Sequence, residues 1–452
     1  LCANHESEFN RLETTMKRRH ILQASAASMG GAVAPWALAQ AAPGLKPGKP
    51  YAGAEVNLLT VVAPQFRAHE AKLAEFEALT GIKVKYQYVP FASTREKLTA
   101  ELVGQSSQYD VLSCMDVWGP SLYNLFEPIN DRLAEKKIDM EARYPHAHLR
   151  ASRDGNGTGK NVLGFPIRGH VQLLFYRKDV LDRLGLKPPA TWDEMVETGK
   201  TIASKTDMAG VAMYYGKTGG QNLMIWFNYL WGMGGDLLDA KGQPAFNSPA
   251  GVAATQAYID VLLKHKAAPA ASASFNETDA VNSVAQGKSA MVPVWWWRYA
   301  SLVDPKSSTL KPEQVAFAPL PSMPGKASTT YTNTWFYGIN RFSKKKDAAM
   351  EFLAWLTQPE IERSVLLDRS MNEVVAMQTR NLIDPDVNIR YNGMHLFGAQ
   401  ALKGAKGTPL FPQWPQVSDV LEATISDLAT GKAQVKPALD DATARVRRAL
   451  RA

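Results

Sequence analysis

The sequence is short of cysteine. Two occur in 452 residues, Cys2 and Cys114. Residues 1–41 read as a leader and export segment, so removal leaves Cys114 alone and no intramolecular disulfide can form. No lipobox precedes Cys2, which argues against a lipid anchor. No later stretch has the roughly 18 uncharged apolar residues that a membrane-spanning helix needs. A dense basic run is missing too, although the net charge is +8. The longest cluster, "SKKKDAA" at 343–349, reads as a solvated helix start. Nucleic acid would require a basic stripe, so it is not an expected partner. Catalytic signatures are also absent: no G-x-S-x-G elbow, no H-E-x-x-H, no phosphate-cradling glycine loop, no Cys/His cluster. "HAH" at 146–148 is too sparse for a metal site, and nothing nominates a carboxylate pair for glycoside hydrolysis. The expectation is a protein that is not an enzyme and uses no cofactor.

What is present begins with the export signal. From Met16 the chain reads "MKRRHILQASAASMGGAVAPWALAQAAPG". A basic start with paired Arg18 and Arg19 leads into a stretch rich in Ala, Ser and Gly, then small-residue cleavage signals at Ala39 or Ala41. The arginine pair suggests the twin-arginine route; an ordinary secretory signal is the alternative. Residues 1–15 precede Met16 and are set aside as leader. The composition, 45% hydrophobic and 21% charged, is that of a globular chain long enough for two or three lobes. The expected mature protein is exported to the periplasm, without a membrane anchor.

After a Pro/Gly linker at 41–53, "EVNLLTVVA" (55–63) reads as a buried strand. Residues 67–81 have helical spacing and stop at Gly81, and 82–89 alternate as a strand. Residues 93–104 read as a helix opened by Ser93 with Glu96 three positions on, and 109–115 as the next strand. Strand and helix alternating at these lengths predict parallel strands with crossover helices, an α/β class. The segment 193–306 reads as mostly helical, 313–321 and 334–340 as strands, and the last hundred residues as helical. No internal repeat appears.

One stretch stands out. "MVPVWWWRYA" (291–300) carries three adjacent tryptophans. On a strand, Trp295 and Trp297 share a face and Trp296 takes the other. Two can then line a pocket while Trp296 enters the core.

Seven segments in order carry a resemblance: "FEALTGIKV" (76–84), "YDVL" (109–112), "GFPIRGHVQLLFYRKDVLDRLGLKPPATWDEM" (164–195), "GGDLLDAKGQPAFNSPAGVAA" (234–254), "GKSAM" (287–291), "GINRFSKKKDAAMEFLAWLTQPE" (338–360) and "GKAQVKPALDDATARV" (431–446). Together they resemble the carbohydrate-binding solute receptors of bacterial ABC importers, the maltose-binding-protein-like family. The resemblance implies a type II two-lobed periplasmic-binding fold with three crossing segments and a ligand cleft between the lobes. It places lobe one at 51–166 plus 298–334 and lobe two at 167–294 plus 340–452. It implies a monomer that takes a small-molecule solute, a carbohydrate or polyol, to an inner-membrane permease. A sugar acid, a glycerol phosphate, a polyamine or ferric iron is the alternative solute; the tyrosines of "MYYG" (213–216) are thin support for iron.

The resemblance also implies site residues. Six past Met291, Trp297 takes the place of the family's sugar-stacking tryptophan, and Trp295 stands where the family has glycine. Arg298 follows them. Asp116, with Gly119 aligned to a family glycine, matches a carboxylate that accepts sugar hydroxyls, and Trp118 neighbours it. His170 occupies a crossing position where relatives carry glutamate, with Arg168 two residues before it. Gln65 and Phe66 fall at the cleft mouth. Asn222, Tyr331, Asn333, Trp335 and Asn372 fall on strand ends or loops facing the cleft. Trp414 is a rim aromatic or packing residue, and Trp192 is structural.

Overall fold

The computed structural model describes residues 44–371 and 373–451. Among the described residues nine strands form two sheets. The first holds β1 (Glu55–Val61), β2 (Lys83–Val89), β3 (Val111–Met115), β4 (Gly164–His170) and β9 (Asn333–Ile339), in the order β2-β1-β3-β9-β4. The second holds β5 (Gln172–Arg177), β6 (Ala209–Val211), β7 (Ser289–Trp295) and β8 (Val315–Pro319), in the order β6-β7-β5-β8. In the first sheet β1 runs parallel to β2 and β3, while β9 is antiparallel to β3 and β4. The apolar runs predicted as β1 and β3 are the buried centre of that sheet: Val56, Leu58, Val111 and Leu112 are fully covered.

The chain changes sheets within one residue. His170 ends β4 and Gln172 begins β5, so Val171 is the whole connection. Two further segments run beside it. The Thr330 hydroxyl accepts from the Gln172 amide at 2.8 Å, and the Thr332 hydroxyl donates to the His170 carbonyl at 2.7 Å. The Thr332 amide then donates to the Lys406 carbonyl at 2.8 Å, and the Lys406 amide to the Thr330 carbonyl at 3.0 Å. Three passages of chain are thereby bonded side by side where the sheets part.

Several expectations need correction. The crossing lies at Val171, not at 166/167, because β4 continues through His170 in the first sheet. β8, expected with lobe one, pairs with β5 in the second sheet. The helix Lys346–Leu356, expected with lobe two, packs Phe352 and Trp355 on Phe76 beside the first sheet. The helix at 67–81 is two helices, Pro64–Glu70 and Leu73–Thr80, the second ending at Gly81 in the left-handed conformation. Ser93 is no N-cap: the helix Phe91–Val103 starts earlier, and the Ser93 hydroxyl donates to the Pro90 carbonyl. The short strand β6 sits inside a stretch read as helical, its three residues carrying too little pattern to declare it. Trp192 is structural: it opens the helix Trp192–Lys205, capped by Thr191, and stacks on Tyr229 at 4.1 Å.

Trp296 is fully buried and pins the crossing. Its amide donates to the Val171 carbonyl at 3.0 Å and its indole N–H to the Gly169 carbonyl at 3.1 Å. The ring lies so close to Gly398 that a Cβ there would fall 2.1 Å from it. Trp296→Ala should cost about 3–5 kcal/mol of stability. A urea titration reads this as a lower midpoint at unchanged slope; an unchanged midpoint would show that the ring does not hold the junction.

Candidate functional site

A cavity of about 350 Å³ opens where the two sheets part. Its walls include Phe91, Met115, Arg168, His170, Gln221, Met224, Glu277, Trp295, Trp297, Arg298, Asn333, Trp335 and Glu373. Strand pairing explains why several of these converge. Residues opposite each other in a ladder point to the same face. His170 lies opposite Asn333, and Arg168 opposite Trp335. The second match depends on a bulge: the register shifts between Pro166 and Arg168. Without this shift in register, Ile167 would face Trp335 and the guanidinium would turn to the other side of the sheet.

The three tryptophans divide as expected, by a different geometry. β7 ends at Trp295, and Trp296–Arg298 form a 3-10 turn instead of continuing the strand. Trp295 and Trp297 still reach the cavity while Trp296 points into the core. The Trp297 ring carries two cations: the Arg168 guanidinium carbon lies 4.5 Å from its centroid and that of Arg298 4.2 Å. The His170 ring sits 5.1 Å from that of Trp295 and 6.1 Å from that of Trp297.

The polar groups here are poorly paired with the protein. Arg298 is answered: its Nε donates to Glu277 at 2.7 Å and its Nη2 to Thr278 at 3.0 Å. Arg168 is 6% exposed, and its Nε and Nη2 have no hydrogen-bond partner among the described residues. Burial pushes its pKa down to about 10, offset in part by Glu373, so it stays charged at neutral pH. Glu373 accepts from the Ser301 hydroxyl. Burial, helped by the field of Arg168, holds His170 well below the usual histidine range, so its ring is neutral, with Nδ1 unpartnered. The Trp297 indole N–H and the Asn333 Oδ1 are likewise buried without partners. Four residues around one cavity thus carry buried polar atoms with no protein partner among the described residues, as several core side chains elsewhere also do.

The other candidates lie elsewhere. Gln65 clamps a backbone segment, accepting from the Val375 amide at 2.9 Å and donating to the Val375 carbonyl at 3.4 Å. Phe66 is core, packed on Tyr337 and edge-on to Trp335. Trp118 meets Trp335 edge-on at 5.1 Å and supports the wall from behind. Asn222 is fully buried and donates to the Tyr215 and Glu422 carbonyls. Tyr331 stacks with Phe227 and Trp231, and Trp414 packs on Phe227 and Phe411. Asn372 lies outside the described residues. Asp116 is 1% exposed, lines no part of this cavity, and accepts from the Val117 amide at 2.8 Å. Tyr214 and Tyr215 are buried, and among the described residues no three potential metal ligands cluster.

Phe91, Met115, Gln221, Met224, Glu277 and Glu373 were not among the sequence candidates. Glu277 opens a helix capped by Asn276, and in the sequence it reads as an ordinary first-turn acid. Glu373 adopts a left-handed conformation with φ of 58°, which no local pattern announces.

A larger groove, about 710 Å³, runs between His146, Arg150, Ile383, Leu396 and Lys403. None of its lining side chains leaves a buried polar atom unpaired. Volume favours the groove; chemistry favours the smaller cavity, which is aromatic and polar at once.

Two sheets joined by bonded crossing segments, with such a cavity at the junction, make a two-lobed receptor for a small solute. The chain belongs to the bacterial extracellular solute-binding protein family, matched over residues 63–363. It is 28% identical to a probable amino-acid ABC transporter periplasmic-binding protein of Sinorhizobium fredii, over 74% of this chain and 76% of that one. Among solved structures, it is similar to an ABC transporter solute-binding protein of Agrobacterium radiobacter in complex with ribitol, at 25% identity and a TM-score of 0.76, over 88% of this chain and 99% of that one. The maltose-bound MalE3 protein of T. maritima shares the fold at 23% identity and a TM-score of 0.77, over 88% and 100%. No helix among the described residues is long and apolar enough to cross a membrane.

Asp116 gives a test of its structural role. Burial raises its pKa from 3.8 to about 6. A raised carboxyl pKa contributes stability below about pH 3.8 that is lost as pH rises through about 6. Relative to the unaltered protein, Asp116→Asn should therefore gain stability between about pH 4 and pH 8, by up to about 3 kcal/mol. Denaturant titrations at both pH values check this; a constant difference would place the carboxyl in a solvated setting.

Proposed function

We propose that the protein captures a small polyhydroxyl solute, a sugar or polyol of monosaccharide size, and delivers it to the permease of an ABC importer. The observation that carries this reading is the cavity lining: Trp295, Trp297, Trp335 and Phe91 supply flat apolar surface, while His170, Asn333 and Arg168 supply unpaired polar atoms. Sugars and polyols offer a CH-rich face and a hydroxyl-rich edge, and such a site suits both. The ribitol bound by the Agrobacterium relative is of this class.

In this reading each sheet with its covering helices is a lobe, and the lobes turn about Val171, 330–332 and 405–407. Solute touches both lobes only when they close, so its binding energy stabilises the closed form. The closed form then docks on the permease. The chain itself converts nothing, acts as a monomer, and works in the periplasm after export through the twin-arginine-like signal. The Sinorhizobium relative's description favours a second reading, an amino acid whose carboxylate meets Arg168 and whose ammonium meets Glu277 or Glu373.

A thermal-shift panel of monosaccharides, disaccharides, alditols, sugar acids, polyamines, amino acids and ferric citrate separates these. A true solute at a hundred times its Kd adds about 2.7 kcal/mol of stability. Shifts confined to sugars, alditols or sugar acids are expected; a shift with amino acids alone would overturn the polyhydroxyl reading. Trp295→Ala should weaken the same solute by about 1–3 kcal/mol in calorimetry, and unchanged affinity in a folded variant would remove Trp295 from the site.

A further inference from the structure

Given a polyhydroxyl solute in this cavity, we infer that it is an acid: a polyhydroxyl monocarboxylate of sugar size, its carboxylate seated on Arg168 beside Trp297 and its hydroxyls on His170 and Asn333.

Arg168 is the starting point. A buried guanidinium with free N–H groups is costly unless something accepts from it. No side chain does. Glu277 is taken by Arg298, and Glu373 takes the Ser301 hydroxyl and makes no hydrogen bond to Arg168. The bulge before Arg168 turns this unpaired charge toward the cavity, and the Trp297 ring holds it on one side.

The unpaired groups also differ in kind. The Arg168 Nε and Nη2 and the Trp297 indole N–H are donors, the Asn333 Oδ1 is an acceptor, and the neutral His170 Nδ1 serves either way. Each hydroxyl of a neutral polyol both donates and accepts. A wall rich in donors is better matched by a ligand with surplus acceptors, as a carboxylate has. The planar fork of a guanidinium suits a carboxylate in geometry as well.

Charge and size narrow the class. Arg168 and Arg298 stand against Glu277 and Glu373, so the walls are close to neutral in sum. One added negative charge is answered by the unpaired Arg168, whereas a phosphate dianion would leave one of its two charges unanswered. A cavity of about 350 Å³ corresponds to roughly a dozen water volumes. That fits a ligand of about a dozen non-hydrogen atoms, the size of a six-carbon sugar acid.

Calorimetry on the whole protein with matched pairs tests this: gluconate against glucitol, ribonate against ribitol, with glycerol phosphate and alanine as further arms. Within each pair the acid should bind at least about tenfold tighter. Arg168→Gln should abolish that preference. Should that variant not fold, Arg168→Lys, which keeps the charge and loses the fork, should narrow the preference; the pairs on the unaltered protein decide the main point in any case. Alditols that bind as tightly as their acids would overturn the inference and leave the polyhydroxyl reading standing. Glycerol phosphate binding tighter than every carboxylate would overturn the monocarboxylate assignment. Binding of alanine with neither member of any pair would overturn the polyhydroxyl reading itself.

Discussion

The site depends on how the backbone passes from one sheet to the other. Val171 is the only residue between β4 and β5, so neither strand can shift without the other. Hydrogen bonds from Thr330 and Thr332 bind a second passage to the first, and Lys406 binds a third. Trp296 then caps the junction through the Gly169 and Val171 carbonyls. Strands diverging from such a point must leave a gap, and side chains near the crossing line it. Arg168 and His170 precede the crossing, Trp295 lies opposite Gln172 just after it, and Asn333 and Trp335 begin the strand that returns. The cavity is a consequence of the crossing.

What the crossing leaves open, the aromatic and polar chemistry fills. Trp297 does not stand as a bare platform: it is flanked by two guanidinium groups, one of them paired to Glu277 and the other unpaired. A ring in that setting orients cations as much as it offers apolar surface. Among the described residues, Trp295 and Trp335 line the same cavity without a guanidinium over their rings. Holding a charged, unpaired group in a buried wall costs stability, and proteins keep such costs at functional sites. The bulge at Ile167 and the left-handed Glu373 are further local departures at the same place.

Much of the frame was legible in the sequence because apolar periodicity marks buried strands and helices. β1, β2, β3 and β9 fell where alternation and apolar runs put them, and the ordered segments of "FEALTGIKV" through "GKAQVKPALDDATARV" pointed to the family. The tryptophan triplet raised the right question, and the split of Trp296 from its neighbours held although the strand ends at Trp295. The rest depended on tertiary detail. Sequence cannot show a one-residue register shift, so the facing of Arg168 was hidden. Gln65, Asn222 and Asp116 are polar types that suit a cleft equally well as buried backbone clamps, and burial chose the latter. Glu277 and Glu373 enter from a helix start and a loop with no spacing to link them. The assignment of β8 to the second sheet follows strand pairing, which local pattern does not encode.

The junction cavity, and not the larger helical groove, is the proposed seat of the solute. A crystal structure with the most stabilising solute of the thermal-shift panel decides between the two. Solute density is expected between Trp295, Trp335, Asn333 and Arg168, with an oxygen within hydrogen-bond distance of the Arg168 guanidinium. Density in the groove beside His146, Ile383 and Lys403, with the cavity holding only water, would contradict it.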